Sequence, residues 1–182
     1  MKSLSLFLFI FLINFNLSFA NDREIELNKL FIELKTNDVS TSLRIEQKIW
    51  ELWSTHPNDK KLTEMLAKGS DLVNDQNFDE AIVIFSKVIK LDPNWAEAWN
   101  KRATVFYLIG KFKESQNDIN KVLALENRHF GALAGQGLVN IKLKNYEKAI
   151  NSYKIVQEIY PAMQSPKIMI KKIELLIKKQ TI

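Results

Sequence analysis

An all-α solenoid of stacked helical hairpins is the fold class the sequence predicts, on three observations. Landmark residues recur every 34 positions, so that Pro93, Asn127 and Pro161 sit in the same local context. Self-similarity at such a period marks an array of repeated supersecondary units. Between the landmarks, apolar residues return at the spacing of one helix face. Only 5 Gly and 4 Pro in 182 residues leave too few turns for an all-β chain. A hydrophobic fraction of 46% beside 26% charged residues belongs to a globular protein, not a disordered one.

The chain opens with Lys2 and an apolar run from Leu4 to Ile13, after which Asn14, Asn16 and Ser18 raise the polarity. Ser18 and Ala20 place small residues at both positions a signal peptidase reads. One positive charge, a short apolar core and a small-x-small end predict a cleaved secretory signal peptide over residues 1–20. The alternative is an uncleaved inner-membrane anchor facing the periplasm. A spanning helix needs about 20 apolar residues, and this run is shorter and interrupted. The chain has no cysteine. That excludes thiol catalysis, thiolate zinc sites, disulfides and a cysteine-linked lipid anchor. Export without disulfides points to a bacterial periplasm.

Residues 22–56 predict a first antiparallel hairpin. Ile25, Leu27, Leu30, Phe31 and Leu34 form one helical stripe, led by acidic residues that suit a helix N-terminus. Thr36 and Asp38 flank a break, and Leu43, Ile45, Ile49, Trp50, Leu52 and Trp53 form a second stripe. The hairpin is as long as one repeat but lacks its small-residue landmarks, which predicts a degenerate or capping unit. Trp50 and Trp53 share a face. They read as a wedge against the next hairpin, with an aromatic ligand platform as the alternative.

Residues 62–161 hold three repeats, at 62–95, 96–129 and 130–161. The first runs Met65, Gly69, Leu72, Phe78, Ala81, Phe85, Val88 and Pro93. The second runs Trp99, Ala103, Phe106, Phe112, Ser115, Ile119, Val122 and Asn127. The third runs Leu133, Gly137, Asn140, Tyr146, Ala149, Tyr153, Val156 and Pro161. Small residues at Gly69, Ala103 and Gly137 let the first helix of each hairpin approach the second, and aromatics fill the gaps between hairpins.

This order of large, small and aromatic positions resembles the tetratricopeptide repeat (TPR) family. The resemblance implies a right-handed superhelical α-solenoid of TPR hairpins whose first helices line a concave groove. Asn127 in place of proline, Met65 and Leu133 in place of an aromatic, and Asn140 in place of a large residue depart from the pattern and weaken individual contacts. The segments Trp99–Thr104 and Arg128–Gly135 also resemble exported TPR proteins of Gram-negative bacteria, which implies fold and location but no activity. After Pro161, residues 162–182 carry Ile168, Ile170, Ile173, Leu176 and Ile177 on one amphipathic pattern. This predicts a C-terminal capping helix, the alternative being a helix lying on a membrane surface. The same end holds five lysines against Glu174 alone, while the whole chain carries a formal charge of +5. Such a local basic end is not the broad stripe of a nucleic-acid binder.

In the TPR fold the groove positions of the second repeat would be Glu97, Asn100, Lys101, Thr104 and Tyr107. Those of the first would be Thr63, Leu66, Ser70 and Asn74, and those of the third Gly131, Ala134, Gly135, Leu138 and Lys142. The partner-binding candidates are Glu97, Asn100, Lys101, Thr104, Tyr107, Gly131, Gly135 and Lys142; a solvated helix face is the alternative. Some TPR domains clamp a chaperone's C-terminal carboxylate with Lys, Asn and Arg; here Gly131, Gly135, Leu66 and Ser70 stand at those positions, so that clamp is not expected. Gly131 and Gly135 leave room for a bound peptide or for the C-terminal helix folded back. His56 and His129 lie at hairpin junctions with no carboxylate at ligand spacing in the sequence. No catalytic, metal or cofactor motif is present. The expected function is a non-enzymatic, periplasmic protein-interaction scaffold holding a peptide or helix of a protein partner. The alternatives are a membrane-tethered envelope assembly factor and a subunit of an enzyme complex.

Overall fold

The computed structural model describes residues 22–180 apart from Asn37. The expected signal peptide lies outside the described residues. Among them the chain is helical throughout: α1 (22–33), α2 (Val39–Ser54), α3 (Lys60–Asn74), α4 (Phe78–Leu91), α5 (Ala96–Leu108), α6 (Phe112–Leu125), α7 (Phe130–Lys142), α8 (Tyr146–Ile159) and α9 (Ser165–Gln180). None of these helices is long and apolar enough to cross a membrane.

From α3 to α9 each helix packs on the next, which is the ladder of a solenoid. The hairpins of the three repeats turn the same way. Gln76, Gly110 and Lys144, 34 residues apart, all take the left-handed conformation, with φ of 61°, 77° and 60°. The next residue then donates to a carbonyl five residues back, as Asn77 does to Leu72, Lys111 to Phe106 and Asn145 to Asn140, each at 2.8 Å. This closes the orphan carbonyls of α3, α5 and α7 in a Schellman turn. Glycine enters that turn without strain, whereas Gln76 and Lys144 accept it at a cost.

The small landmarks work as the sequence expects. A Cβ on Gly69 would stand 2.5 Å from the Phe85 ring, and one on Gly137 2.6 Å from the Tyr153 ring. The second repeat reaches the same fit from the other side, with Ala103 clustered against the smaller Ile119. The C-terminal helix α9 covers the last hairpin, burying Ile173 against Ala149 and Tyr153 with Met169, Ile170 and Ile177 beside it. Two members of the expected stripe, Ile168 and Leu176, face outward at 52% and 41% exposure.

The N-terminal hairpin departs from expectation. It touches the repeat that follows it at Trp95 and Asp92 and packs chiefly on the third repeat. Leu27, Leu30, Phe31 and Leu34 of the α1 segment and Ile45, Ile49 and Trp53 of α2 form one buried cluster with Phe130, Leu133, Val156, Tyr160 and Ala162 from the far end of the chain. Ile25 and Leu43, expected on the apolar stripes, are more than half exposed. The reason is the choice of partner: α2 crosses the beginnings of α5 and α7, which rotates different residues inward. Polar contacts fix the position. The Tyr160 hydroxyl donates to Glu46 at 2.9 Å, and the Trp95 indole N–H donates to the Trp53 carbonyl at 2.8 Å. Arg128 bonds Glu24 at 3.1 Å, hydrogen-bonds Asn28, and lies 4.4 Å above the Phe31 ring. Arg23 closes the end of α2 by donating to the carbonyls of Leu52 and Thr55.

Candidate functional site: the concave face and the hairpin across it

The expected groove residues fall into two sets. The first is built around Glu97 in the opening turn of α5, where a carboxylate suits the helix dipole. Glu97 was expected on an open groove face, but it is 1% exposed. Its Oε2 accepts from Asn100 and from His129 Nε2, both at 3.0 Å. Its Oε1 has no hydrogen bond and faces the Lys101 ammonium at 3.4 Å. Burial presses this carboxyl upward, yet the hydrogen bond from His129 and the nearby positive charge outweigh it and hold the group below the ordinary carboxylate range.

His129 is equally buried. Its Nδ1 accepts from the Ala132 N–H at 3.1 Å, which caps α7 and leaves Nε2 as the donor to Glu97. The Trp53 ring stacks on it at 3.9 Å with 6° between planes, and Trp50 meets it edge-on at 5.5 Å. Gly131 is filled: a Cβ there would lie 2.6 Å from the Trp50 ring. Of the space the sequence reserved for a peptide or for the C-terminal helix, the part at Gly131 is therefore taken by Trp50. Glu97 and Gly131 are positions that seat the N-terminal hairpin, and Asn100 and Lys101 complete the network beneath it.

His56 follows the same plan two repeats earlier. Its Nδ1 accepts from the Asp59 N–H at 2.9 Å, and its Nε2 lies 2.8 Å from Asp92. Both histidines thus have a carboxylate partner, each supplied from more than 30 residues away, which local spacing does not reveal. No group of three acidic or His side chains stands ready for a metal among the described residues.

The second set stays open. Thr104 is exposed, its hydroxyl donating to the Asn100 carbonyl at 3.0 Å. Tyr107 is half-buried with its ring 5.6 Å from Phe112. A Cβ on Gly135 would meet only Ile119, at an ordinary 3.7 Å. Lys142 is exposed in the last turn of α7, one turn beyond Leu138 at 37% exposure. The groove is closed where α5 and α7 begin and open where they end.

A tetratricopeptide repeat model matches residues 131–163. A TPR repeat-containing protein of Rhizobium etli is 30% identical over 138 residues, covering 75% of this chain and 67% of its own. The chain belongs to the tetratricopeptide repeat family. Hsp70-Hsp90 organizing protein 1 of Glycine max is 30% identical over 97 residues, which is 53% of this TPR chain but 17% of that relative. Among solved structures, the first TPR of Spaghetti (RPAP3) bound to an HSP90 peptide superposes with a TM-score of 0.64 at 24% identity, covering 66% of this chain and 96% of that one. The type III secretion chaperone SycD of Yersinia enterocolitica, in complex with a peptide of the translocator YopD, gives 0.60 at 9% identity, covering 66% and 98%. At such identities the likeness is one of fold, the right-handed α-solenoid of TPR hairpins.

Sequence reasoning missed His129, Trp50 and Trp53 as parts of this face. The available signal was Gly131, a costly residue in a helix beside no small-residue landmark of its own.

Proposed function

We propose that this TPR chain is a non-enzymatic protein-interaction scaffold of the bacterial periplasm, released by cleavage after Ala20. It takes a peptide or helix of a protein partner on the open half of its concave face. The observation that carries the reading is the strip at the ends of α5 and α7. Thr104 and Leu138 share one repeat position, Leu108 and Lys142 another, and Leu108 and Leu138 remain 51% and 37% exposed there. Exposed leucines rimmed by lysine suit an amphipathic segment with acidic flanks. Peptide complexes of proteins with this fold support the reading, as do the repeat and organizing names of the relatives. The location rests on the sequence of residues 1–20 alone.

A photo-crosslinking residue in place of Leu138 is expected to trap a discrete protein in the native envelope. The same residue in place of Val83, 66% exposed on α4, is expected to trap none. Equal products from both positions would reject the groove. N-terminal sequencing of the mature chain should begin at Asn21; a chain beginning at Met1 would favour the tethered assembly factor.

A further inference from the structure

The third repeat departs from the second at one cluster of positions on the outer side of the array. In the second repeat this place is filled. The Arg102 guanidinium lies 5.5 Å over the Phe106 ring, grips Asp118 through two hydrogen bonds of 2.7 and 2.8 Å, and reaches Ser86 at 2.9 Å. One period on, the same positions hold Gln136, Asn140, Ser152 and Asn120. Gln136, Asn140 and Ser152 are smaller than Arg102, Phe106 and Asp118, and a cleft of ≈ 560 Å³ lies between α6, α7 and α8. That is the size of a small-ligand site.

The cleft is lined largely by carboxamides, and its floor is buried: Asn140 is 5% and Ser152 2% exposed. The floor is held in place from below. Asn140 Nδ2 donates to the Gln136 carbonyl at 2.9 Å and to Gln116 Oε1 at 3.3 Å, and its Oδ1 accepts from Asn145 at 3.3 Å. Ser152 Oγ lies 2.9 Å from both the Gln136 carboxamide and the Lys148 carbonyl, which pins it between α7 and its own helix. Among the described residues, Asn120 Nδ2 and the Asn151 side-chain amide have no protein partner. They remain for a ligand.

We propose that this cleft binds a neutral, hydroxyl-rich small molecule of the sugar class. A carboxamide offers a donor and an acceptor side by side without charge, and adjacent sugar hydroxyls each do both. Glu147 and Lys148 at the rim cancel, so neither an anion nor a cation is favoured. Leu143 supplies one apolar wall for the C–H face of a ring. An extended peptide fits less well, because the α7–α8 turn at Asn145 bounds the cleft and Leu143 is its one aliphatic wall among the lining residues.

Side-chain amide resonances of the full chain, titrated with D-glucose, D-galactose and N-acetyl-D-glucosamine, test this site. At least one sugar is expected to give saturable shifts with a Kd of about 1 mM or tighter. Asn140→Phe, which restores the residue of the second repeat, is expected to abolish them. Asn151→Ala, at an exposed position on α8, is expected to weaken binding about fivefold, the worth of one neutral hydrogen bond, and it decides the matter should Asn140→Phe not fold. Absence of saturation with all three sugars, shifts unchanged in the folded variant, or tighter binding of triglycine amide would each overturn the proposal.

Discussion

The second and third repeats occupy neighbouring places in one array, share a register, and spend their polar residues differently. The second closes its outer side with the Arg102–Asp118 pair and turns Glu97 inward beneath the N-terminal hairpin. The third has Gln136 and Ser152 in place of the ion pair and Gly131 in place of Glu97. One repeat is braced by charge; the other is fitted around space. The lesson is that backbone period fixes where a side chain stands, while the volume and charge at that place decide whether it supports or admits something.

The sharpest way to break the contrast is Arg102→Ala. It strands the Asp118 carboxylate, 6% exposed, without its partner and should cost about 3 kcal/mol in urea unfolding. The equivalent Gln136→Ala should cost about 1 kcal/mol, since neutral hydrogen bonds are worth less. If the two cost the same, the bracing role of the ion pair is wrong.

Glu97 should give the next largest effect, and one that depends on pH. Its carboxyl titrates lower in the folded chain than in the unfolded one. Its stabilisation is therefore complete above the ordinary carboxylate range and is lost as pH falls through the folded value. Glu97→Gln should lower stability at neutral pH by about 2 kcal/mol, the scale of hydrogen bonds to a charged group, and the gap from wild type should close in acid. A constant gap in Tm between neutral and acid pH would show that charge is not what matters. Lys101→Glu is a poor probe of partner binding for the same reason, because it sets a second carboxylate beside this one.

Gly137→Ala drives a methyl into the Tyr153 ring, and after the gain in helix propensity it should cost about 1 kcal/mol. Adding Tyr153→Ile, which copies the Ala103–Ile119 pairing, should recover part of that loss in a double-mutant cycle. The smallest effect is expected from Lys144→Gly, which copies Gly110 into the third turn. Relief at φ 60° should outweigh the added chain entropy by about 0.5 kcal/mol, visible as a small rise in Tm.

The repeats were legible in the sequence because each is specified locally: a small residue, its aromatic mate and a left-handed turn all lie within one period. The N-terminal hairpin was legible as two helices and no further. Its partners are Phe130, Leu133 and Tyr160, and nothing in local spacing ties Trp50 to Gly131. Gly131 was visible as a vacancy, and only the course of α2 says what fills it. Asn140 was visible as a departure from the pattern. Its meaning needed Gln116 from the preceding helix and Asn145 from the turn.

A linear array of repeats can ordinarily assemble from either end, each unit waiting only for its neighbour. The bond from Tyr160 to Glu46 spans 114 residues and turns this line into a ring. The N-terminal hairpin has its binding surface on α7, α8 and the residues just after α8. Leu30, Phe31, Ile49 and Trp53 thus have no native cover until synthesis has passed Ala162. The open line becomes a closed unit only once the third repeat is in place. Loss of the last hairpin would release the first one, at the opposite end of the chain.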